Sequence, residues 1–169
     1  MKYLRAPTAN FTHLFKRADL PAKLCLVLSS CFGVGLLPVA QGTFGTLAGL
    51  PLAIALAYLG PMAAAYVLFF FVLMAIWVSG GSSRALDKED PAEVVIDEVA
   101  GLLVALFLLP ATGLTLCLGF VLFRVFDILK PYPAGRVERI GGGAGIVLDD
   151  LVAGIYANVC IRLVTLVFL

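Results

Sequence analysis

Charged side chains are scarce in this sequence, and histidine is almost absent. Lys, Arg, Asp and Glu together make up 14% of the 169 residues, whereas 62% are hydrophobic and the mean hydropathy is +1.05. These values lie outside the range of soluble globular domains and indicate an integral membrane protein. The formal net charge of +1 also argues against a nucleic-acid partner, because binding to a phosphate backbone needs a clustered basic excess.

Several catalytic motifs are missing as well. His13 is the single histidine, which excludes a phosphohistidine mechanism that needs a second catalytic histidine. The sequence contains no Cys-x5-Arg loop for a thiol-phosphate intermediate and no Asp-x-Asp-x-Thr motif of the haloacid-dehalogenase type. The four cysteines lack C-x-x-C spacing, so we interpret them as small buried hydrophobic residues rather than metal ligands or disulfides.

Five apolar segments account for most of the chain. A spanning helix needs about 20 residues, and the third and fourth segments approach that length only when their charged flanks are included. With these flanks, the segments cover residues 44–59, 62–79, 91–109, 114–130 and 151–169. We therefore predict an all-α integral membrane protein, a single domain over 1–169 with about five transmembrane or partly re-entrant helices.

The distribution of charge predicts the orientation of these helices. Residues 1–28 contain five basic residues and one acid, which favours a basic interfacial helix within 1–30 over a poorly ordered tail. Every charged residue except Arg162 falls within 1–45, 80–98 or 124–150, and a five-span path puts these three stretches on one side. The positive-inside rule assigns that side to the cytoplasm, and Arg162 is expected to extend to the outer interface.

Two pairs of acids, Asp97–Glu98 and Asp149–Asp150, directly adjoin apolar segments. An ionised acid at bilayer depth costs roughly 2.5–3.5 kcal/mol, so four of them suggest a function. Carboxylate oxygens suit Mg²⁺, which would also relieve their mutual repulsion. The alternative is capping of helix N-termini, which would suit Asp149 and Asp150 at the expected start of the last helix.

Two short sequences resemble each other, Asp97-Glu-Val-Ala-Gly101 and Asp150-Leu-Val-Ala-Gly154. In a helix, residues four apart share one face, so each acid has a glycine one turn away. Small residues allow helices to approach closely. The similarity therefore predicts that these two helices meet at their glycines and bring their carboxylates together.

Two further polar stretches complete the candidate site. Arg124, Asp127 and Lys130 share a helical face; the two cations suit a phosphate, while Asp127 suits a metal ion or an ion pair with Arg124. The glycines and proline of 33–46 predict an irregular loop, either binding phosphate through backbone N–H groups or serving as a re-entrant connector. Residues 141–145 are expected to form a flexible lead into Asp149.

Four motifs, in this order, resemble the phosphatidylglycerophosphatase A family. They are Gly-x-Gly-x-x-Pro-x-Ala-x-Gly-Thr-x-Gly-Thr at 33–46, Asp-Glu-x-x-Gly at 97–101, Phe-Arg-x-Phe-Asp-Ile-x-Lys-Pro at 123–131, and Gly-Gly-x-Gly-Ile-x-x-Asp-Asp-x-x-Ala-Gly at 142–154. One departure is Gln41, where the family usually has proline. The resemblance implies Mg²⁺-dependent removal of the terminal phosphate from phosphatidylglycerophosphate, giving phosphatidylglycerol in the bacterial inner membrane.

The resemblance also implies roles for the residues of these motifs. We expect an anionic phospholipid substrate, membrane lipids as partners, and either water or an aspartate as the nucleophile. Asp127 is predicted as a further ligand or base, and Arg124 and Lys130 as phosphate-binding residues. The predicted metal ligands are Asp97, Glu98, Asp149 and Asp150, and the predicted pocket residues of the glycine loop are Gly42, Thr43, Gly45 and Thr46.

Two other functions are alternatives to a phosphatase. A non-catalytic transporter or assembly subunit would use the carboxylates as an ion relay, but the outer halves of the segments carry almost no polar groups for such a path. A phosphatidyl-alcohol transferase would need an Asp-Gly-x2-Ala-Arg motif, which the sequence lacks. The transporter or assembly subunit therefore remains the main alternative.

Overall fold

The structure, a computed structural model, describes residues 7–137 and 140–168, and these residues form helices without strands. A short 3₁₀ turn, Val34–Leu36, separates the second and third α-helices. The α-helices are α1 (Pro7–Arg17), α2 (Leu20–Ser29), α3 (Gln41–Ala57), α4 (Pro61–Leu86), α5 (Ile96–Ala105), α6 (Gly113–Leu129), α7 (Ala134–Val137) and α8 (Gly142–Phe168). The prediction of an all-helical fold is confirmed for this part of the chain.

Two of these helices are long and apolar enough to cross a membrane. The candidate spans are Pro61–Leu86, with a mean hydropathy of 2.3, and Gly142–Leu166, with 1.6. The third predicted helix, 91–109, was wrong in its bounds, because α5 has only 10 residues. Pro91 begins a turn in which its carbonyl accepts from Val94 N at 2.9 Å, so the helix starts only at Ile96. A path of five spans stays a prediction.

Helix α5 lies at the centre of the bundle and packs against α3, α4 and α8. Its closest approach is to α8: a Cβ atom added at Gly101 would lie 2.8 Å from the carbonyl oxygen of Asp150, and one at Gly154 would clash with the carbonyl oxygen of Gly101. Leu102 and Leu103 of the same helix are almost fully buried. The predicted meeting of the two helices at their glycines is confirmed.

The C-terminal end of α5 is satisfied by two side chains of α8. Asn158 Nδ2 donates to the carbonyls of Val104, Ala105 and Phe107 at 3.2, 3.0 and 3.0 Å. Arg162 donates to Asn158 Oδ1 at 2.7 Å and to the Phe107 carbonyl at 3.0 Å. These bonds supply donors to carbonyls that a helix end leaves without intrahelical partners. The place of Arg162 at an outer membrane interface stays a prediction.

The expectation of an irregular loop over 33–46 was wrong in its second half, since α3 begins at Gln41. Its glycines serve close packing instead: a Cβ atom at Gly45 would lie 2.7 Å from Val95 Cβ. The chain enters this helix at Ala40, which takes a left-handed conformation (φ 51°). At the first residue of the helix, Gln41 Nε2 donates to the Gly35 carbonyl at 2.8 Å. Tertiary contact thus outweighs the low helix propensity of glycine.

The start of the last helix also differs from expectation. Residues 141–145 are not a flexible lead, because α8 begins at Gly142 and Gly143 packs directly against α4. A Cβ atom at Gly143 would lie 2.6 Å from Gly80 N, so only glycine allows this contact. Asp149 therefore lies about two turns inside α8, and neither it nor Asp150 can act as an N-terminal cap.

Helices α1 and α2 occupy most of the predicted N-terminal segment. Phe11 of α1 is buried against Leu26 of α2 and Leu86 of α4. Asp19 caps α2 by accepting from Ala22 N at 3.1 Å. The placement of this segment on a membrane surface stays a prediction, and its residues 1–6 lie outside the described residues. The four cysteines are free, and they are not all buried as expected, since Cys117 is exposed.

Candidate active site

A polar cavity of about 310 Å³ opens at one end of the bundle. It gathers side chains from the three polar stretches of the sequence, which are far apart along the chain. Its acidic lining residues are Glu89, Asp90, Asp97, Glu98, Asp127, Asp149 and Asp150, and the others include Gln41, Gly42, Lys130, Gly141 and Gly142. The fold therefore concentrates carboxylates and glycines around one space.

Three helices begin at this cavity. The first residues of α3 and α8 line it directly, as do Asp97 and Glu98 in the first turn of α5. A helix N-terminus presents free N–H groups and a partial positive charge, which together favour a bound anion. Helix α6, in contrast, ends at the cavity and contributes Lys130. The backbone therefore suits an anion even though most side chains are acidic.

Asp97 and Glu98 are the two acids of α5, a helix that lies outside the two candidate spans. Asp97 is 8% exposed, and its Oδ1 accepts from Glu98 N at 3.0 Å. Glu98 Oε2 is buried and accepts no hydrogen bond from the described part of the chain. Burial, and next the charge of Glu98, hold the pKa of Asp97 well above its usual range. Burial, and next the charge of Asp150, raise the pKa of Glu98 to about 8.

The α6 side chains form ion pairs with acids of the site. Arg124 Nη1 lies 2.7 Å from Asp127 Oδ2 and 4.0 Å from Glu98 Oε1, so it joins α6 to α5. Lys130 Nζ donates to Asp149 Oδ2 at 2.8 Å and joins α6 to α8. The ion pair of Arg124 with Asp127, one of the two alternatives for that acid, is thus present. Each cation already offsets part of the negative charge at the cavity.

Asp149 and Asp150 bring the third helix to the site. They are 6% and 4% exposed, so both are buried in the bundle. Asp150 is within hydrogen-bonding reach of Asp127, and its charged neighbours include Asp97 and Asp149. Asp150 therefore lies where the acids of α5, α6 and α8 converge.

Comparison with known protein families shows which family the chain belongs to. The family model described as phosphatidylglycerophosphatase A matches residues 27–165, which include the whole cavity lining. The chain belongs to this family. The predicted resemblance, and with it the prediction of an enzyme of the phosphatase class, is confirmed.

Individual relatives of the phosphatidylglycerophosphatase A family agree with this assignment. A protein of Escherichia coli named phosphatidylglycerophosphatase A is 31% identical over 131 residues, 76% of each chain, and one of Haemophilus influenzae with the same name is 34% identical over 138 residues, 80% of this chain and 85% of that one. A Bacteroides thetaiotaomicron protein named putative phosphatidylinositol-3-phosphatase is 34% identical over 149 residues, 83% of this chain and 93% of that one. No solved structure is significantly similar to the chain.

The structure brings most of the residues predicted from the family motifs to the cavity. Arg124 lies beside it, next to Glu98, rather than among the lining residues. Thr43, Gly45 and Thr46 do not line it either; Thr46 is buried and donates to the Gly42 carbonyl at 2.8 Å. The predicted residues that line the cavity are Gly42, Asp97, Glu98, Asp127, Lys130, Asp149 and Asp150.

Two acids of the cavity were missed by the sequence reasoning. Glu89 and Asp90 are not among the predicted site residues, but both line the cavity. Ser83 Oγ donates to the Lys88 carbonyl at 2.6 Å and so holds the turn that carries them. Their place in the same polar stretch as Asp97 is the feature of the sequence that could have predicted them.

The donor set of this family member fits Mg²⁺ in its chemistry. The cavity offers carboxylate oxygens, which Mg²⁺ prefers, and the buried Glu98 Oε2 has no hydrogen-bond donor among the described residues. Among the described residues, no group of three or more histidine, cysteine, aspartate or glutamate side chains is arranged to hold a metal ion. Mg²⁺ is commonly held by only one or two carboxylates together with water and substrate phosphate. A site completed by the substrate therefore fits these residues.

Proposed function

We propose that this protein hydrolyses the terminal phosphate ester of phosphatidylglycerophosphate, giving phosphatidylglycerol and phosphate. The observation that carries the proposal is the cavity at which three helix N-termini and Lys130 meet a set of buried carboxylates. This arrangement combines sites for a phosphate anion with oxygen ligands for a divalent cation, as metal-assisted phosphoryl transfer requires. The names of the relatives from Escherichia coli and Haemophilus influenzae support the substrate.

In this proposal, the phosphate lies between Lys130 and the N-terminal turns of α3 and α8. Lys130 gives up part of its contact with Asp149 to bind a phosphate oxygen, and Arg124 adds positive charge from behind Glu98. The N–H groups of the helix starts favour the charge that builds up on phosphorus-bound oxygens. These groups orient the ester and leave the acids of α5 and α8 facing its reactive end.

The acids are proposed to hold Mg²⁺ and to accept the proton of the attacking water. Asp97, Glu98, Asp149 and Asp150 are the proposed set of metal ligands, of which one or two carboxylates at a time would hold Mg²⁺ together with water and the substrate phosphate. Mg²⁺, when bound, would offset the negative charge of the phosphate and the carboxylates. Asp127 is a further ligand or the base that accepts a proton from the attacking water. Its contact with Arg124 at 2.7 Å fixes the carboxylate in place for either role.

We place the protein in the bacterial inner membrane, as a multi-pass protein with the cavity facing the cytoplasm. Helices α4 and α8 are long enough to cross the bilayer, and the polar cavity lies at one end of the apolar bundle. The last turn of α1 carries Lys16 and Arg17, and the positive-inside rule expects basic residues such as these on the cytoplasmic side. A lipid phosphate can then reach the cavity while its acyl chains stay in the bilayer.

The proposal is tested by phosphate release from purified protein in lipid nanodiscs. We expect release from phosphatidylglycerophosphate with Mg²⁺, loss of release in EDTA, and loss of at least about 100-fold in Asp150→Asn. The matched control is Asp87→Asn, because Asp87 is exposed and does not line the cavity. Full activity in EDTA or in Asp150→Asn would refute the metal mechanism. Phosphatidic acid and phosphatidylinositol 3-phosphate serve as competing substrates, the latter because one relative's name specifies it.

A further inference from the structure

An exposed apolar surface lies directly beside the cavity. It consists of four described residues in the last turn of α6 and between α6 and α8, and we call these four residues the 128–140 patch. Its members are Ile128, Leu129, Tyr132 and Ile140, with exposed fractions of 71, 70, 69 and 65%. Lys130 and Gly141, which line the cavity, lie within and next to this stretch. The patch is therefore continuous with the cationic side of the cavity mouth.

Contacts hold the aromatic member of the patch in position. Tyr156 OH donates to the Tyr132 carbonyl at 2.8 Å, and the ring of Tyr156 lies 5.6 Å from that of Phe126. The Arg136 guanidinium lies 4.8 Å from the Tyr132 ring, and its Nη1 donates to Tyr132 OH at 3.3 Å. An aromatic ring paired with a cation in this way is typical of the zone where a membrane meets water.

The patch also continues an apolar face of α6. Leu114, Val121, Val125 and Ile128 are exposed, and their spacings of seven, four and three residues place them on one side of the helix. This face runs the length of α6 and ends at the patch, next to Lys130. A continuous apolar strip that ends at a cation matches the shape of a phospholipid, with chains along the strip and a phosphate at its end.

We propose that the 128–140 patch lies in the head-group region of the bilayer and is the side from which the lipid substrate enters the cavity. The lipid's chains lie along the α6 face, and its phosphate passes Lys130. The cations Lys130 and Arg136 favour an anionic phospholipid over a neutral one. The route rests on the proposed lipid phosphatase function, whereas the contact of the patch with the bilayer does not.

Contact with the bilayer is tested by fluorescence, without any measurement of activity. Trp77 is the single tryptophan, so Tyr132→Trp in a Trp77→Phe background gives one probe in the patch. In vesicles of phosphatidylglycerol and phosphatidylethanolamine, we expect the strongest quenching from lipids brominated near the glycerol backbone. The proposal would be overturned if none of the brominated lipids quenched the probe. Cross-linking of two copies of the chain through the patch would then show that a second copy covers it instead of the bilayer.

The entry route is tested by comparing two forms of the substrate. The Ile128→Ser/Tyr132→Ser variant is assayed with long-chain phosphatidylglycerophosphate in vesicles and with a short-chain, dispersed analogue. We expect the ratio of the two kcat/KM values to fall about tenfold, because two large apolar contacts with the membrane are removed. The control is Phe69→Ser/Phe70→Ser on α4, with similar exposed fractions of 58 and 63% and no contact with the cavity, for which the ratio is expected to stay constant.

The outcomes separate this inference from the proposed function. An unchanged ratio in the patch variant, or an equal fall in the α4 control, would overturn the entry route. If the unmodified protein hydrolyses neither substrate, the proposed function fails and the entry route fails with it, while the quenching result still decides whether the patch lies in the bilayer.

Discussion

Substitution of Gly101 by alanine tests how the site depends on the contact between α5 and α8. The new Cβ atom would lie 2.8 Å from the Asp150 carbonyl oxygen and 2.7 Å from Phe123 Cζ. An ordinary contact needs about 3.4 Å, so the contact with Asp150 alone requires α5 to move away from α8 by about 0.6 Å, and the closer contact with Phe123 Cε2 requires more. Phe123 is fully buried and cannot turn aside. Overpacking of this kind costs about 1–3 kcal/mol of unfolding free energy.

The same displacement separates the acids of the two helices. Gly101 lies one turn after Asp97, so the movement of α5 carries Asp97 and Glu98 away from Asp150. Since a misplacement of about 1 Å can cost about 100-fold in rate, we expect Gly101→Ala to lose at least about tenfold in kcat. The melting temperature should fall by about 2–4 °C for each kcal/mol lost.

The measurement pairs thermal unfolding in detergent, followed by circular dichroism, with phosphate release from phosphatidylglycerophosphate. The matched control is Gly113→Ala at the start of α6, where an added Cβ atom would meet nothing within 4 Å. Its melting temperature and kcat should match those of the unmodified protein. The reasoning is refuted if Gly101→Ala is as stable and as active as the unmodified protein, or if the Gly113→Ala control is damaged equally.

Three further predictions concern single contacts. Asn158→Ala removes the donor to three carbonyls at the end of α5 and should cost about 2–3 kcal/mol in unfolding free energy, whereas an unchanged denaturation midpoint would contradict this account. Lys130→Met should raise KM for the lipid phosphate at least about tenfold, and Lys130→Arg should recover part of the loss, because only the latter keeps a cation beside Asp149. Inorganic phosphate should inhibit competitively in steady-state assays, since the helix starts at the cavity bind the phosphate group itself; purely noncompetitive inhibition would argue against that binding mode.

The apolar pattern was sufficient to predict where α3, α4, α6 and α8 run, because long uninterrupted hydrophobic stretches leave few alternatives to a helix. The similarity between 97–101 and 150–154 even predicted the contact of α5 with α8, since glycine one turn from each acid has a packing consequence that can be read directly. The bounds of α5 and the start of α8 could not be predicted in this way. The start of α5 depends on the turn that begins at Pro91, and the start of α8 depends on the tertiary contact of Gly143 with α4.

The candidate site was predicted in its residue types better than in its geometry. Paired acids next to apolar stretches stand out because their burial is costly. Glu89 and Asp90 did not stand out, since acids in a hydrophilic connector are common and only the fold turns them toward Asp97. The resemblance implies Thr46 as a pocket residue, yet in a helix its hydroxyl donates to the Gly42 carbonyl one turn earlier.

The shortness of α5 has an electrical consequence. Its 10 residues measure about 15 Å, half of the roughly 30 Å of hydrocarbon in a bilayer. One end carries Asp97 and Glu98, and just past the other end the Phe107 carbonyl accepts a hydrogen bond from Arg162. In the proposed orientation, the membrane potential falls mainly across this thin apolar layer, so the field along α5 is about twice that in the surrounding lipid. Ions that enter the cavity from the cytoplasm would then cross little of this potential, so their binding would depend only weakly on the energised state of the membrane.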